Sequence, residues 1–241
     1  RLRMTVPLEN PEWRASDEKN EMIELPLAIE LRSFTIDEYP PKVNANRQYE
    51  PEKRFLEKQP ENILVEEIPL AGNLQGWKVE VTRSLPMAAC VMGQDTINFV
   101  EFHSEGATTA LYVKARNELT GRQKEGWVSC GSYIFPYISL QLDDAVSMVM
   151  PEREPRRFAS DVMVYTKDKQ TKEARIEVNK PLSIAGWKIY QLSYDETKGK
   201  WSRMSVFELV RDPWLPIVYT GILMMIAGAI GLFLSAPVKK E

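Results

Sequence analysis

The chain has 241 residues, 44% of them hydrophobic and 27% charged, with a formal net charge of -3. That supplies a core for one large domain or two small ones and excludes a disordered chain. Lys and Arg nearly balance Asp and Glu, so no basic face is offered to a phosphate backbone, and nucleic acid is excluded as the expected partner.

The sixteen prolines and twelve glycines are spread along the sequence, a distribution that fits short strands and turns better than a helical bundle. The first residue is Arg1, not Met, and a segment upstream of it is expected. The first strong element is "MIELPLAIELRSFTI" (22–36), where Leu25, Leu27, Ile29 and Leu31 alternate with other residues at the period of a strand with one buried face. Residues 39–62 follow, polar and proline-rich, and are read as a loop carrying at most a short helix. Further strands are predicted at 76–85, 97–104, 108–116, 137–144, 159–168, 173–179, 186–196 and 203–212. The stretch "MPEREPRRF" (150–158) punctuates the chain before the last four. A "GW" pair recurs at Gly76, Gly126 and Gly186 and is read as opening a strand each time, with the tryptophan at the core edge.

From Trp214 to Leu234 the chain carries no charge, and a helix of that length covers roughly 30 Å, the thickness of a bilayer's hydrocarbon core. This segment is predicted to span a membrane. Trp214 and Tyr219 stand near its entrance as interfacial aromatics. Gly221, Gly228 and Ser235 recur every seven residues, and Ala227, Gly231 and Ser235 every four, giving a small-residue face on which Gly221, Gly228 and Gly231 are candidates for packing against another membrane helix. Lys239 and Lys240 follow the span. By the positive-inside tendency they place the C-terminus in the cytoplasm and the main domain outside, against a weaker pull from Arg203 and Arg211. The expected architecture is therefore mainly β: an antiparallel β-sandwich-like extracytoplasmic domain over 1–212, with 39–155 a divergent or inserted region. A transmembrane helix over 213–235 and a short cytoplasmic tail, 236–241, complete it.

Catalytic chemistry is thinly supplied. His103 is the single histidine, so no Ser-His-Asp triad has a second candidate base, and it reads as a surface residue. Asp143 and Asp144 lack the oxygen ligands of a calcium loop and read as a strand end. Cys90 and Cys130 allow one disulfide or two buried thiols, a choice the sequence leaves open; neither belongs to a CxxC or CxxCH motif. Met148, Met150, Met224 and Met225 read as packing residues before haem ligands. No catalytic or metal-binding residue is assigned.

The last part of the chain resembles a known family. "ASDVMVYTKD" carries Ser160, Val162 and Val164. "IEVNKPLSIAGWKIYQLSYD" carries Val178, Asn179, Pro181, Leu182, Gly186, Ile189, Tyr190, Gln191, Ser193 and Tyr194, and "SVFELVRDPWLPIVYTG" carries Asp212, Pro213, Tyr219 and Gly221. In this order the three blocks resemble the C-terminal part of the ResB-like (CcsB, Ccs1) cytochrome c biogenesis proteins. "LPLAIELRSFTIDEYP" (25–40) resembles their first extramembrane strand, while 39–155 resembles no known family pattern. The resemblance implies a membrane component, non-catalytic by itself, of the system that attaches haem to apocytochrome c outside the membrane. It implies as partners a CcsA-like membrane protein, apocytochrome c and membrane lipid, with further helices upstream. Haem is implied for the complex rather than for this chain, because no position here matches the family's haem-ligating histidines. Asn179, Pro181, Gly186, Tyr190, Gln191, Tyr194, Asp212 and Pro213 are the motif residues, in a structural or partner-contact role. In strand geometry Trp187, Ile189 and Gln191 face one side and Tyr190, Leu192 and Tyr194 the other, so at least one set is core. The alternative function is a membrane-anchored binding or scaffold module unrelated to haem.

Overall fold

The computed structural model describes residues 1–47, 62–93 and 96–235. Its strands in chain order are β1 (Leu2–Pro7), β2 (Glu12–Ser16), β3 (Met22–Glu38), β4 (Lys42–Arg47), β5 (Asn62–Leu64), β6 (Leu70–Leu74), β7 (Trp77–Met92), β8 (Ile97–Glu101) and β9 (Thr108–Asn117). They continue with β10 (Gln123–Ser129), β11 (Leu140–Gln141), β12 (Val146–Val149), β13 (Pro155–Thr166), β14 (Thr171–Glu177), β15 (Leu182–Ile184), β16 (Trp187–Tyr194) and β17 (Met204–Val210). One helix, α1 (Leu215–Ser235), ends the described chain. The protein is thus mostly antiparallel β with a single C-terminal apolar helix. Its residues fall into two compact units, one formed by Arg1–Ser33, Ala159–Ser193 and Met204–Glu241, the other by Phe34–Phe158 and Tyr194–Arg203.

In the first unit eight strands form one sheet in the order β14-β13-β3-β2-β1-β17-β16-β15. The two edge strands, β14 and β15, are consecutive in the chain and also meet, so the sheet is rolled about one core. The alternation in β17 shows how: Ser205, Phe207 and Leu209 are buried while Met204, Val206, Glu208 and Val210 are half-buried on the other face. Phe207, Met4, Leu27, Ile29 and Ile176 are fully enclosed, each worth about 1.5–3 kcal/mol of burial. Ser160 and Ser205 join hydroxyls across the interior at 2.7 Å, which satisfies two polar groups where water is absent. Ala185 and Gly186, at φ +49° and +78°, form the two-residue turn from β15 to β16, the left-handed pair that matches the twist of a hairpin. On β16, Ile189 and Gln191 are buried and Leu192 is 42% exposed, so the side bearing Ile189 is core.

The second unit layers two sheets, β10-β9-β7-β6 with β8 alongside β7, and β11-β12-β4-β5. Val79, Val81, Leu111, Val113 and Val128 from one meet Val43, Ala45, Val146 and Met148 from the other in a shared core. The intervening residues Ala110, Tyr112 and Trp127 point the opposite way into a smaller cluster with Phe99, Ala88 and Ile138. Period-two alternation thereby buries both faces of β9 and β10.

Three local expectations are corrected. Within 39–62, residues 42–47 form β4; Val43 and Ala45 are its only buried apolar residues, too few to show a period in the sequence. The rest of that loop, with the short helix expected there, lies at 48–61, outside the described residues. The strand expected over 137–144 shrinks to β11, because Asp143 accepts the N–H groups of Ala145 and Val146 at 2.8 Å each and turns the chain. Trp77 and Trp187 do open β7 and β16, but Trp127 lies inside β10, with Gly126 pressed against Leu140.

Helix α1 is long and apolar enough to cross a membrane, and over Leu215–Leu232 none of it is buried in the protein. Only residues 211–214 separate it from β17. Asp212 Oδ1 accepts the Trp214 N–H at 3.0 Å, satisfying one donor that the helix start leaves free. The tail at 236–241, with Lys239 and Lys240, lies outside the described residues.

Candidate functional site: a cleft in the second unit

A cleft of about 690 Å³ opens in the second unit, within the size range of small-molecule sites. Five segments build it: the end of β3, the start of β9, the loop that follows β10, the loop that precedes β13, and residues 194–201. The loop after β10 is fixed first by its backbone. Gly131 sits at φ +71°, and a Cβ there would lie 2.8 Å from the Tyr137 nitrogen, so the chain folds back this tightly only over glycine. Thr108 Oγ1 donates to Gly131 O at 2.7 Å and touches the Ser129 hydroxyl at 3.0 Å. Ser132 Oγ donates to Gly106 O at 2.6 Å and accepts from the N–H groups of Ile134 and Phe135. These bonds present Tyr133, Phe135 and Tyr137 along one wall.

The opposite wall comes from residues 194–201, which close in a 3-10 turn at Gly199–Trp201. Trp201 Nε1 donates to Ala107 O at 3.1 Å, pinning the turn to β9. Tyr194 packs on Phe34 and Phe158 with ring centroids 5.0 Å away in each case. Burial pushes the hydroxyl pKa of both Tyr137 and Tyr194 up. In the floor, the Arg153 guanidinium donates to Tyr39 O at 2.7 and 2.9 Å and to Thr109 Oγ1 at 3.2 Å, with Glu38 at 3.6 Å. Lys200, half-buried beside them, stacks its ammonium 5.4 Å from the Trp201 ring. Burial pulls its pKa below the ordinary lysine value, opposed by Glu38 and reinforced by Arg153.

A concavity of about 620 Å³ in the first unit, around Trp13, is closer to a flat surface, and its charges are matched: Arg14 to Glu12 at 3.3 Å and Lys167 to Glu24 at 3.2 Å. The second-unit cleft is therefore the better candidate site.

Of the motif residues, only Tyr194 reaches that cleft. Asn179, at φ +64°, and Pro181 lie in the turn between β14 and β15, and Gly186 in the next turn. Tyr190 is half-buried on β16; Gln191 donates to Ser193 O at 3.1 Å, while its Oε1 is enclosed without a partner among the described residues. Asp212 and Pro213 lead into α1, where Gly221, Gly228 and Gly231 have open space around them. Lys200, Arg153 and Thr108 went unmarked by sequence reasoning. The one available signal was the position of Lys200 beside Trp201 in an otherwise polar loop.

Cys90 and Cys130 are both free thiols, and burial pushes the Cys90 thiol pKa up. His103 is 73% exposed and lies 3.7 Å from Glu101. Met148 and Met150 are enclosed in the core, and Met224 and Met225 point outward from α1. Among the described residues, no three His, Cys, Asp or Glu side chains group to hold a metal ion.

Fold and tether define the class: an antiparallel β protein ending in an apolar helix of membrane-spanning length. Residues 105–203 match the model of the ResB-like family, which the chain resembles over that stretch. No curated protein matches it. The match begins inside the 39–155 region, read from the sequence as divergent or inserted, and takes in its residues from 105 on. Of the strands there, 108–116 was expected and is β9, whereas β10, buried on both faces, has no alternation of apolar and polar residues to mark it in the sequence. The family-like phrases at 25–40 and 212–221 fall outside the match.

Proposed function

We propose that this chain is the extracytoplasmic part of a membrane component of cytochrome c biogenesis, working with a CcsA-like membrane protein to position apocytochrome c for haem attachment. The observation that supports it is the coincidence of the family match with the cleft. Every lining residue except Ile36 and Glu38 falls within residues 105–203, and the ends of that stretch pair through Arg203 and Glu105 at 3.7 Å.

The chain's own contribution in this reading is placement. Residues 211–214, at no more than about 3.6 Å each, keep the β17 end within roughly 15 Å of α1, so the rolled sheet stays near the bilayer. With Lys239 and Lys240 on the cytoplasmic side, the β units lie outside, where apocytochrome is met. Haem is held elsewhere in the complex, and the chain is a non-catalytic subunit. Deleting the gene in a host that makes c-type cytochromes is expected to abolish haem-stained covalent cytochrome, with restoration by the intact gene. Undiminished cytochromes in the deletion strain would overturn the reading and leave a membrane-anchored binding module as the function.

A further inference from the structure

One end of the rolled sheet in the first unit adjoins the start of α1, and the strand register identifies it. β17 leaves for α1 after Val210, and its neighbours carry that level across the sheet: Leu2 lies opposite Leu209, Arg3 opposite Ser16, and Ser16 opposite Met22. On the other side of β17 the Arg211 guanidinium stands 5.8 Å over the Trp187 ring, which brings the β15–β16 turn to the same end. The β13–β14 turn joins them, since Lys167 donates its N–H to Pro26 O at 3.0 Å and its Nζ reaches Glu24 at 3.2 Å. Three hairpin turns thus share the end from which the membrane-length helix departs.

That end carries apolar side chains. Met22, 60% exposed, is the most exposed large apolar side chain of the rolled sheet among the described residues, and Ile23 beside it is 41% exposed. The same rim holds Leu2, Ile184 and Trp187, half-buried against the core. Asp17 Oδ1 accepts the N–H groups of Lys19 and Glu21 at 2.8 and 2.9 Å, so Met22 and Ile23 follow a braced turn and lose little freedom when covered. The charges of the three turns cancel: Asp17, Glu18, Glu21 and Asp168 stand against Lys19, Lys167, Lys169 and Lys188. Arg1 is paired with Glu208 at 3.7 Å, and Arg211 is followed by Asp212. An apolar rim without a net field, next to a helix of membrane-spanning length, fits a lipid surface better than a charged partner. We infer that this end of the rolled sheet docks on the bilayer, with Met22 and Ile23 entering the boundary between headgroups and acyl chains and Trp187 at headgroup level. Docking would give the sheet a fixed orientation, which a tether alone does not. It requires α1 to be in the bilayer, as the proposed function does, and is independent of cytochrome assembly.

The test places one nitroxide at a time on the full chain in phosphatidylcholine vesicles, with Cys90 and Cys130 replaced by alanine or serine, whichever keeps the natural melting temperature. The readout is collision with oxygen, which concentrates in lipid, against collision with a water-soluble nickel complex. Labels at Met22→Cys and Ile23→Cys are expected to favour oxygen. A label at Leu192→Cys, 42% exposed and about 17 Å along β16 from Trp187, is expected to favour nickel. Leu223→Cys, in α1, reports the span itself. With Leu223 in lipid, labels at 22, 23 and 192 equally open to nickel would overturn the docking alone; Leu223 open to nickel would overturn the span with it. Inserting about ten Gly and Ser residues between Arg211 and Asp212 frees the sheet from the short tether. The oxygen preference at Ile23 is expected to survive this, and Met22→Asp in the lengthened chain to lower the lipid-contacting fraction about tenfold, the factor a buried methionine side chain is worth. Loss of the preference on lengthening would show that the tether alone holds the sheet down and would overturn the docking surface. A preference that appears only when phosphatidylglycerol is added would transfer the contact to the lysines and overturn it as well.

Discussion

The two compact units put their sequence signals to different uses. In the first, the residues that make the chain recognisable are turn and core residues: Asn179 and Gly186 set left-handed turns, and Val162, Val164 and Ile189 fill the rolled sheet. In the second, the basic residues of the cleft, Lys200 and Arg153, stand in segments that show no hydrophobic period. The family match nonetheless runs through both, over 105–158 and 194–203 in the second unit and 159–193 in the first.

The sharpest way to break this comparison is through the first unit's core. Phe207→Ala removes a fully enclosed ring and is expected to cost about 3–5 kcal/mol, read as a fall in the urea midpoint of the full chain in detergent. A loss under about 1 kcal/mol would show that the rolled sheet does not depend on its interior. Next in size, Gly186→Ala forces a Cβ into the left-handed turn before β16 and is expected to cost about 1–2 kcal/mol by the same measurement. Trp201→Phe keeps a ring in the cleft but deletes the bond to Ala107, at an expected cost of about 1 kcal/mol.

Lys200 sharpens the comparison through pH. Its folded-state pKa lies below the ordinary lysine value because burial disfavours the charged form, so the unfolded chain holds the proton more tightly. The penalty is present in full below the folded-state pKa and lifts as pH rises from there toward the unfolded value of about 10.4. Lys200→Met is therefore expected to melt at a higher temperature than the natural chain at neutral pH, with the gap closing toward that upper limit. The reverse slope in a pH series of melting curves would refute the assignment of burial as the cause. Smallest of all, Asp37→Asn breaks a pair with Arg157 whose side chains are about 60% exposed, and less than about 1 kcal/mol is expected from its loss.

Much of the strand set was legible because it follows from local rules. Alternation through Leu25, Leu27, Ile29 and Leu31 marked β3, and the uncharged run after Trp214 marked α1. The short strands were not legible: β4 offers two buried residues, and β15 only three residues in all, so tertiary pairing rather than pattern makes them strands. Trp127 shows the same limit from the other side. The GW pair placed it at a strand start, whereas the position inside β10 depends on Gly126 meeting Leu140.

What the sequence by itself determined is the mainly β, antiparallel character, the membrane-length helix and the resemblance to the ResB-like family, because hydrophobic period, span length and turn residues are properties of consecutive positions. Only the tertiary structure decided that eight of the strands roll into one sheet, that Cys90 and Cys130 are free thiols, and that residues from Glu38 to Trp201 share a cleft. The reason is separation along the chain. The balance of charge at Lys200 depends on Glu38 and Arg153, brought beside it from distant segments, and no reading of neighbours in sequence contains that sum.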